Sequence, residues 1–425
     1  MLLADHGEGL AVVGFRERYV ITKFGQLRIR RRLYRDRQGQ GHFLLDEAIG
    51  LEKRSPLSPG LRDLSALLGS YVPFGKSEAL LRLLLPVGVS HTTVHRQVAR
   101  IADPVLAREK EELSQVFEQG KLPDKGKRQV DILFVEGDGV SIALQREKAR
   151  RAELKIGISY EGWEQVGNHD RYRLKEKTAY LGMMDGEHFW EGFSLALARK
   201  YDLSRIGRVV VGGDGASWVK EGAGMLGGYY QLDRFHLRRE LLRALQGDME
   251  VVRKVYQACC QGDAKAADSI LAKVQGRSST REALEIAHLR AYLLDNATGL
   301  ADYRLKLRSR DTTGLRGLGA MEGNVDKLAA NRMKKRGMSW TKQGIRRMAC
   351  LIQLQQSGQV CSWPGGPVQK PAMVKKPAKI HPRLDEKLSH YATYLNMGLP
   401  ALSGPHSDRP WVKALRNFSY GVNPF

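Results

Sequence analysis

The chain has 425 residues, 42% of them hydrophobic, enough to bury a sizeable core, and its length suits two or three domains. A formal net charge of +23 at pH 7 is too skewed for a typical cytosolic metabolic enzyme and implies an extended polyanionic partner such as nucleic acid. No apolar run approaches the ~18 residues of a spanning helix, and Met1 is not followed by a basic then apolar leader, so the expected location is the cytoplasm, associated with the nucleoid.

Residues 19–45 alternate apolar and basic positions, as in Thr22-Lys-Phe-Gly-Gln-Leu-Arg-Ile-Arg-Arg-Arg-Leu-Tyr34, and predict a β-hairpin with one basic face. From 61 to 110 the period becomes helical. Residues 77–85, a turn at Pro86-Val-Gly-Val89 and a second helix over 90–101 have the pattern of a helix-turn-helix with Ser90 as N-cap. Thr93, Arg96 and Arg100 then fall where a recognition helix touches bases or phosphates, although a plain helical pair has the same pattern.

A polar stretch at 121–128 reads as a linker, so a domain begins near Val130. A strand ending at Asp138, strands near 154–160 and 177–183, a helix over 187–201 and a strand ending at Asp214 follow. This β-β-β-α-β order predicts an α/β core whose first three strands form an antiparallel meander. Residues 233–300 are almost wholly helical and read as an insertion. Beyond Glu322 a basic helix-forming stretch runs to about residue 355, where Arg332, Lys334, Lys335 and Arg336 give a density suited to a phosphate backbone. An extended linker at 363–382, a short helix at 384–396 and a basic tail complete the chain. The four cysteines (Cys259, Cys260, Cys350, Cys361) form no C-x-x-C pair and read as reduced and structural.

Asp138 and Asp214 each stand between glycines at the end of an apolar run, and two strand-borne carboxylates suggest one metal site; a turn-forming Asp beside Gly is the plainer alternative. Magnesium takes oxygen ligands and keeps waters, so two or three carboxylates from separate elements suffice. Two such ions ~3.5–4 Å apart can activate water or a 3′-hydroxyl and stabilise the leaving oxygen of a phosphodiester. Glu322, which opens the basic helix, is the leading third acid. Glu136 shares a strand face with Asp138 but stays outside this set. Trp218 and Trp163 either stack on a splayed base or pack in the core. Gly69-Ser-Tyr-Val-Pro-Phe-Gly-Lys-Ser77 has one residue too many for a phosphate-binding loop, and no nucleotide cofactor is implied.

Six ordered motifs, Glu136-Gly-Asp-Gly-Val-Ser-Ile142, Ile158-Ser-Tyr-Glu-Gly-Trp163, Phe189-Trp-Glu191, Gly213-Asp-Gly-Ala-Ser-Trp218, Leu232-Asp-Arg-Phe-His236 and Met338-Ser-Trp-Thr-Lys-Gln-Gly344, together resemble the Lre group of bacterial insertion-sequence transposases, related to the Mutator superfamily of DDE transposases. The resemblance runs from about residue 12 to 351 and includes Arg31-Arg-Leu-Tyr-Arg-Asp36 and Leu44-Leu-Asp-Glu47. It implies an RNase H-like catalytic core interrupted by an all-α insertion, behind an N-terminal β-hairpin and a helix-turn-helix-like DNA-binding domain. Asp138, Asp214 and Glu322 would form a DDE triad holding two Mg²⁺ or Mn²⁺ ions. Asp233 and His236 match the D-x-x-H signature of Mutator-like enzymes, in which the carboxylate orients the imidazole near the scissile phosphate; the alternative is a structural pair capping the first inserted helix.

The expected plan is a DNA-binding domain over 1–120, the first part of the core over 130–236, the insertion over 237–315, the last part of the core over 316–360, and a basic linker and tail over 361–425. The implied activity is cleavage of insertion-sequence ends and their joining to target DNA. The implied partners are terminal inverted repeats, target DNA and further copies of the chain in a homo-oligomer. A non-catalytic DNA-binding remnant and a structure-specific RNase H-like nuclease are the alternatives. The chain departs from the group's pattern at Asn324, where Glu-Gly-His is usual, and in starting almost at the hairpin.

Overall fold

The alternating N-terminal stretch folds as a long antiparallel ribbon of β1 (Ala11–Thr22) and β2 (Gly25–Arg35), to which β3 (Gly41–His42) adds a short edge. The structure, a computed structural model, describes residues 9–359 except 54, 124, 125, 168–170, 308–312 and 336. Predictions for the linker, short helix and tail at 361–425, and for Arg336, lie outside the described residues. α1 (Leu44–Ala48) lies under the ribbon, where its buried Asp46 pairs with Arg18 at 2.8 Å and with Arg31.

The helical pattern yields α2 (Pro59–Tyr71), α3 (Phe74–Leu84) and α4 (His91–Leu113). Ser90 caps α4, its hydroxyl accepting from the Thr93 N–H at 3.3 Å, as expected. α4 does not stop at 101, because residues 105–113 are rich in Ala, Leu, Glu, Lys and Arg, which favour continuation. Ala66 of α2 and Val98 of α4 belong to the same apolar cluster as the sheet that follows, so these helices share its core.

That core is built on β4 (Ile132–Ala143), β5 (Arg151–Tyr160), a small hairpin of β6 (Trp163–Gln165) and β7 (Tyr172–Leu174), β8 (Thr178–Gly182), α5 (Gly186–Ala198), β9 (Arg208–Gly213), α6 (Ser217–Met225) and β10 (Tyr229–Leu232). The protein is mixed α/β. Five strands form one sheet in the order β10-β9-β4-β5-β8; β10, β9 and β4 are parallel, and the expected antiparallel meander runs from β4 through β5 to β8. β4 does not end at Asp138 as predicted, since Val140 and Ile142 are buried and paired with β5.

Period-two alternation sends β4 side chains to two cores. Leu133 and Val135 join Trp190, Phe193, Val209 and Val211 on one face, while Ile132, Phe134, Val140 and Ile142 join Tyr160, Val210 and Met321 on the other. Each fully buried Phe, Val or Leu among them contributes about 1.5–3 kcal/mol.

The predicted insertion is built of helices as far as residue 306: α7 (Arg234–Ala244), α8 (Met249–Gln261), α9 (Ala264–Gln275), α10 (Thr280–Asp295), α11 (Ala297–Leu300) and α12 (Tyr303–Lys306). Asp233, Asp248 and Asp263 cap α7, α8 and α9, and Ser279 with Glu282 makes a capping box on α10. The basic stretch after Glu322 is two helices rather than one. α13 (Ala320–Val325) runs into a π-helical segment (Asp326–Lys334), and α14 (Lys342–Gln356) starts anew under a Thr341 cap. The break exists because Trp340 leaves the helix to pair its backbone with Leu144, its ring buried and its Nε1–H donating to Met333 O at 2.9 Å. Among the described residues no helix is long and apolar enough to cross a membrane.

Candidate active site

Register brings the two Gly-Asp-Gly segments together. β4 and β9 run parallel with Gly137 opposite Gly213, so Asp138 and Asp214 each follow one residue after the same paired position. Even-numbered residues of both strands face the cluster that contains Met321, and Asp138 takes the same side. The glycines do more than free the backbone: a Cβ on Gly213 would come 2.6 Å from Val219, and one on Gly137 would come 3.1 Å from Trp218, so α6 packs where side chains are missing. Gly215, with φ +106°, makes the turn itself.

Glu322 arrives on α13, and Glu136 places it. Buried at 2% exposure, the Glu136 carboxylate accepts the first N–H groups of that helix: Oε2 from Gly319 at 3.1 Å and Met321 at 3.0 Å, Oε1 from Ala320 at 3.2 Å. Tyr160 Oη donates to Oε1 as well, at 2.5 Å. An anionic acceptor at a helix N-terminus satisfies donors that the helix leaves open. Burial pushes the Glu136 carboxyl up, while Tyr160 and the three N–H groups pull it down. One strand thus carries both Asp138 and the latch for the helix that carries Glu322. Sequence reading placed Glu136 on the right face but missed this role, for which shared strand parity was the only signal.

The acids sense one another. Burial pushes Asp138 up to about 6, and the negative charge of Asp214 adds to it, with a smaller contribution from Glu322; the Gly139 N–H and His236 act the other way. Among the described residues none of the three acids makes an ion pair with Lys, Arg or His, despite the cationic surplus of the chain. Asp214 Oδ1 accepts from the Ala216 N–H at 3.0 Å, and its backbone O accepts from Tyr292 Oη at 2.9 Å. Tyr292 and Asn296 of the insertion lie against Gly215, with Asn296 buried and its Nδ2 donating to Tyr292 O at 2.8 Å. No sequence signal pointed to these two.

Asp233 does cap α7, accepting from the Phe235 N–H at 3.2 Å, and it also binds His236 Nδ1 through Oδ2 at 2.6 Å. The imidazole pKa is raised by Asp233 first, against burial, and Asp138 contributes in the same direction. One Asp233 side chain therefore both caps α7 and engages His236, which stands within the field of Asp138. Asp233 Oδ1 also lies 3.5 Å from where a Cβ on Gly319 would be, beside the start of α13.

Asp214 and Glu322 both act on Asp138 through space and, like it, pair with no cation among the described residues; carboxylate oxygens are the donors a hard divalent ion takes. Among the described residues no three His, Cys, Asp or Glu side chains stand close enough together to hold a metal ion.

The residues expected to touch DNA divide. Arg96 and Lys334 are exposed. Thr93 Oγ1 is hydrogen-bonded to Ser90 Oγ at 2.9 Å, Arg100 pairs with Glu52, and Lys335 pairs with Asp326 at 2.5 Å. Arg332 is no surface contact: it is 5% exposed, its Nε donates to Gly69 O at 2.8 Å, and its guanidinium lies 4.9 Å from the Trp340 ring and 5.1 Å from the Phe74 ring. The π-helical segment turns that arginine inward to join α2 to the break before α14. Trp218 is likewise a core residue, 8% exposed, against Phe189 at 5.1 Å and Trp190 at 5.9 Å, and Trp163 packs on Phe134 at 4.9 Å. Asn324, at the departing motif position, is buried and accepts from Lys177 Nζ at 3.0 Å.

A protein of Streptococcus gallolyticus, named UPF0236 protein in vanSb 3′ region, is 28% identical over 366 residues, covering 84% of this chain and 77% of its own length. A UPF0236 protein of Caldanaerobacter subterraneus subsp. tengcongensis whose name joins four locus designations is 23% identical over 343 residues, covering 79% of this chain and 67% of its own length. Another from the same organism, at 23% identity and the same coverages, bears a name that joins eleven locus designations. Residues 10–363 match the uncharacterised protein family UPF0236. The chain therefore belongs to the UPF0236 family.

Proposed function

We propose that this protein is a DDE transposase, which cleaves the ends of its own insertion sequence and joins them to target DNA. The observation that carries the reading is the parallel register that sets Asp138 and Asp214 one residue beyond the same paired position, with Asp138 pushed up to about 6 by burial and by the charges of Asp214 and, less, Glu322. The strand order supports an RNase H-like core: a three-strand meander, then two parallel strands added on the free side of its first strand, with the two aspartates on the adjacent parallel pair. The helical stretch between β10 and α13 corresponds to the insertion that such a core carries in this reading. The relative with eleven locus designations in its name is consistent with a gene that multiplies within a genome.

Asp138, Asp214 and Glu322 would hold two Mg²⁺ or Mn²⁺ ions, drawn closer together than they stand here, with water completing each shell. Bound there, the ions would supply activation of the attacking oxygen and stabilisation of the leaving one. Glu136 keeps Glu322 in place. Asp233 engages His236 Nδ1 and raises the imidazole pKa, and the protonated ring can then donate from Nε2 to a phosphate oxygen. The surplus of positive charge, +23 over the chain, draws the DNA and makes binding salt-dependent. Bringing two element ends together calls for a homo-oligomer of the chain on DNA, in the nucleoid.

The test is incubation of the purified protein with labelled DNA that carries the element ends, with Mg²⁺ or Mn²⁺, beside Asp214→Asn. Nicking at the element boundary and joined products in wild type, both lost in the variant while binding survives, support the proposal. Cutting without joining points to an RNase H-like nuclease. Binding with no cutting under either metal points to a non-catalytic remnant.

A further inference from the structure

We infer that the outward face of the β1–β2 ribbon is the surface that takes duplex DNA, lying along a groove with Arg28, Arg30 and Arg32 toward the phosphates; this rests on the transposase reading.

Cross-strand pairing divides the ribbon into two faces. Arg16 with Arg31, Arg18 with Ile29 and Val20 with Leu27 share one face, and Phe15 with Arg32, Glu17 with Arg30 and Tyr19 with Arg28 share the other. The first face is covered by the protein itself around Arg18, Arg31 and Val20, while Arg16 and Leu27 stay exposed. Arg18 and Arg31 close on Asp46, Arg31 stacks 3.9 Å from the Phe43 ring, and Val20 is buried.

The second face is turned outward. Phe15 is 45% and Tyr19 55% exposed, and Arg28 and Arg30 are exposed beside them. Arg30 and Arg32 lie 4.3 Å and 5.3 Å from the Phe15 ring centre. Stacking on a ring holds a guanidinium plane while leaving its N–H edges available, which suits phosphate recognition. Glu17 is the only acid in residues 11–35, against eight Lys and Arg, and it is engaged by Arg28 at 2.6 Å. Among the described residues no carboxylate pairs with Arg30 or Arg32.

Dimensions agree with a duplex. Eleven residues of β2 extend about 36 Å, close to one helical turn of ~34 Å, and a two-stranded ribbon fits a major groove ~12 Å wide. Exposed aromatics next to a row of arginines would be costly as plain surface, and a polyanion covers both. The helix expected to read DNA is less well placed, since Arg100 is paired with Glu52 and Thr93 with Ser90.

The experiment titrates a labelled 30-base-pair duplex from the element end with full-length wild type, Arg30→Ala/Arg32→Ala and Arg30→Lys/Arg32→Lys at several salt concentrations. The alanine pair should bind at least tenfold more weakly, and its log K against log salt slope should be shallower by about 1.8, roughly 0.9 for each lost phosphate contact. The lysine pair should recover most of the slope, while urea midpoints stay at the wild-type value. Wild-type affinity and slope in the alanine pair overturn the ribbon assignment, as does tighter binding of a single strand than of the duplex. A wild-type chain that binds no duplex at all overturns the transposase reading instead.

Discussion

Glu136 offers a sharp test of how the candidate site is held. Replacing it by alanine removes four accepted hydrogen bonds and leaves the N–H groups of Gly319, Ala320 and Met321 without their acceptor. An orphaned buried donor costs about 1–3 kcal/mol, so three of them, partly relieved by entering water, should lower stability by about 4 kcal/mol. Glutamine keeps one oxygen for Gly319 and Met321 and lets Tyr160 reverse its hydroxyl, so only the Ala320 N–H is stranded and the loss should be about 1–2 kcal/mol. Urea denaturation with a fixed m-value gives both numbers. If alanine proves too damaging to fold, Tyr160→Phe should cost about 1 kcal/mol and still distinguish a bonded latch from inert packing. In the variants that fold, divalent-metal-dependent nicking should fall further than stability does, because Glu322 loses its fixed position. An alanine variant within about 1 kcal/mol of wild type would refute the latch. Equal losses for alanine and glutamine would show that charge, not bond geometry, is what matters.

Asp138 provides a test by pH. Its carboxyl is pushed up to about 6, above its ordinary value, so its contribution to stability is complete below pH ~4 and is lost as pH rises through about 6. Asp138→Asn should escape that loss, ending about 2 kcal/mol less penalised than wild type at pH 8, the full shift being reduced because the group is not wholly buried. Mg²⁺ should raise the Tm of wild type at pH 8 and leave that of the variant unmoved; parallel pH profiles, or equal Mg²⁺ shifts, would count against the clustered acids. Arg332→Ala should cost about 2–4 kcal/mol through lost stacking and a stranded Gly69 carbonyl, whereas Lys334→Ala should stay within about 0.5 kcal/mol of wild type and weaken DNA binding. The reverse pattern in urea melts and filter binding would mean that Arg332 faces DNA after all.

Much of the core was legible because β4 and β9 are continuous apolar runs that break at the same Gly-Asp-Gly, a pattern with strong periodicity and composition. The Ser90 cap and the helical insertion were legible for similar local reasons. What stayed hidden was set by tertiary contact. β10 is a four-residue strand, too short to show alternation, and β6 and β7 are shorter still. Lysine and arginine density in 327–336 suggested a surface, yet the π-helical turn rotates Arg332 inward, a rotation that charge counting cannot register. Likewise the glycines beside Asp138 and Asp214 looked like turn formers, and two of the four, Gly137 and Gly213, serve instead to admit α6.

The latch from Glu136 to residues 319–321 spans more than 180 positions of chain, and its closure follows from the order in which the chain is made. Strands β4 and β9 leave the ribosome well before α13, so a growing chain holds two acids and an unsatisfied buried carboxylate until the insertion has folded and the helix beyond it arrives. Contacts of such sequence separation form late, after the intervening loop entropy has been overcome. The third acid therefore enters together with the contact that completes the core, and a chain interrupted between the ribbon and residue 319 keeps its basic ribbon but lacks a finished site. If the protein is the transposase proposed above, such a fragment would occupy DNA without acting on it, and truncated copies of the gene would encode competitors of the intact protein.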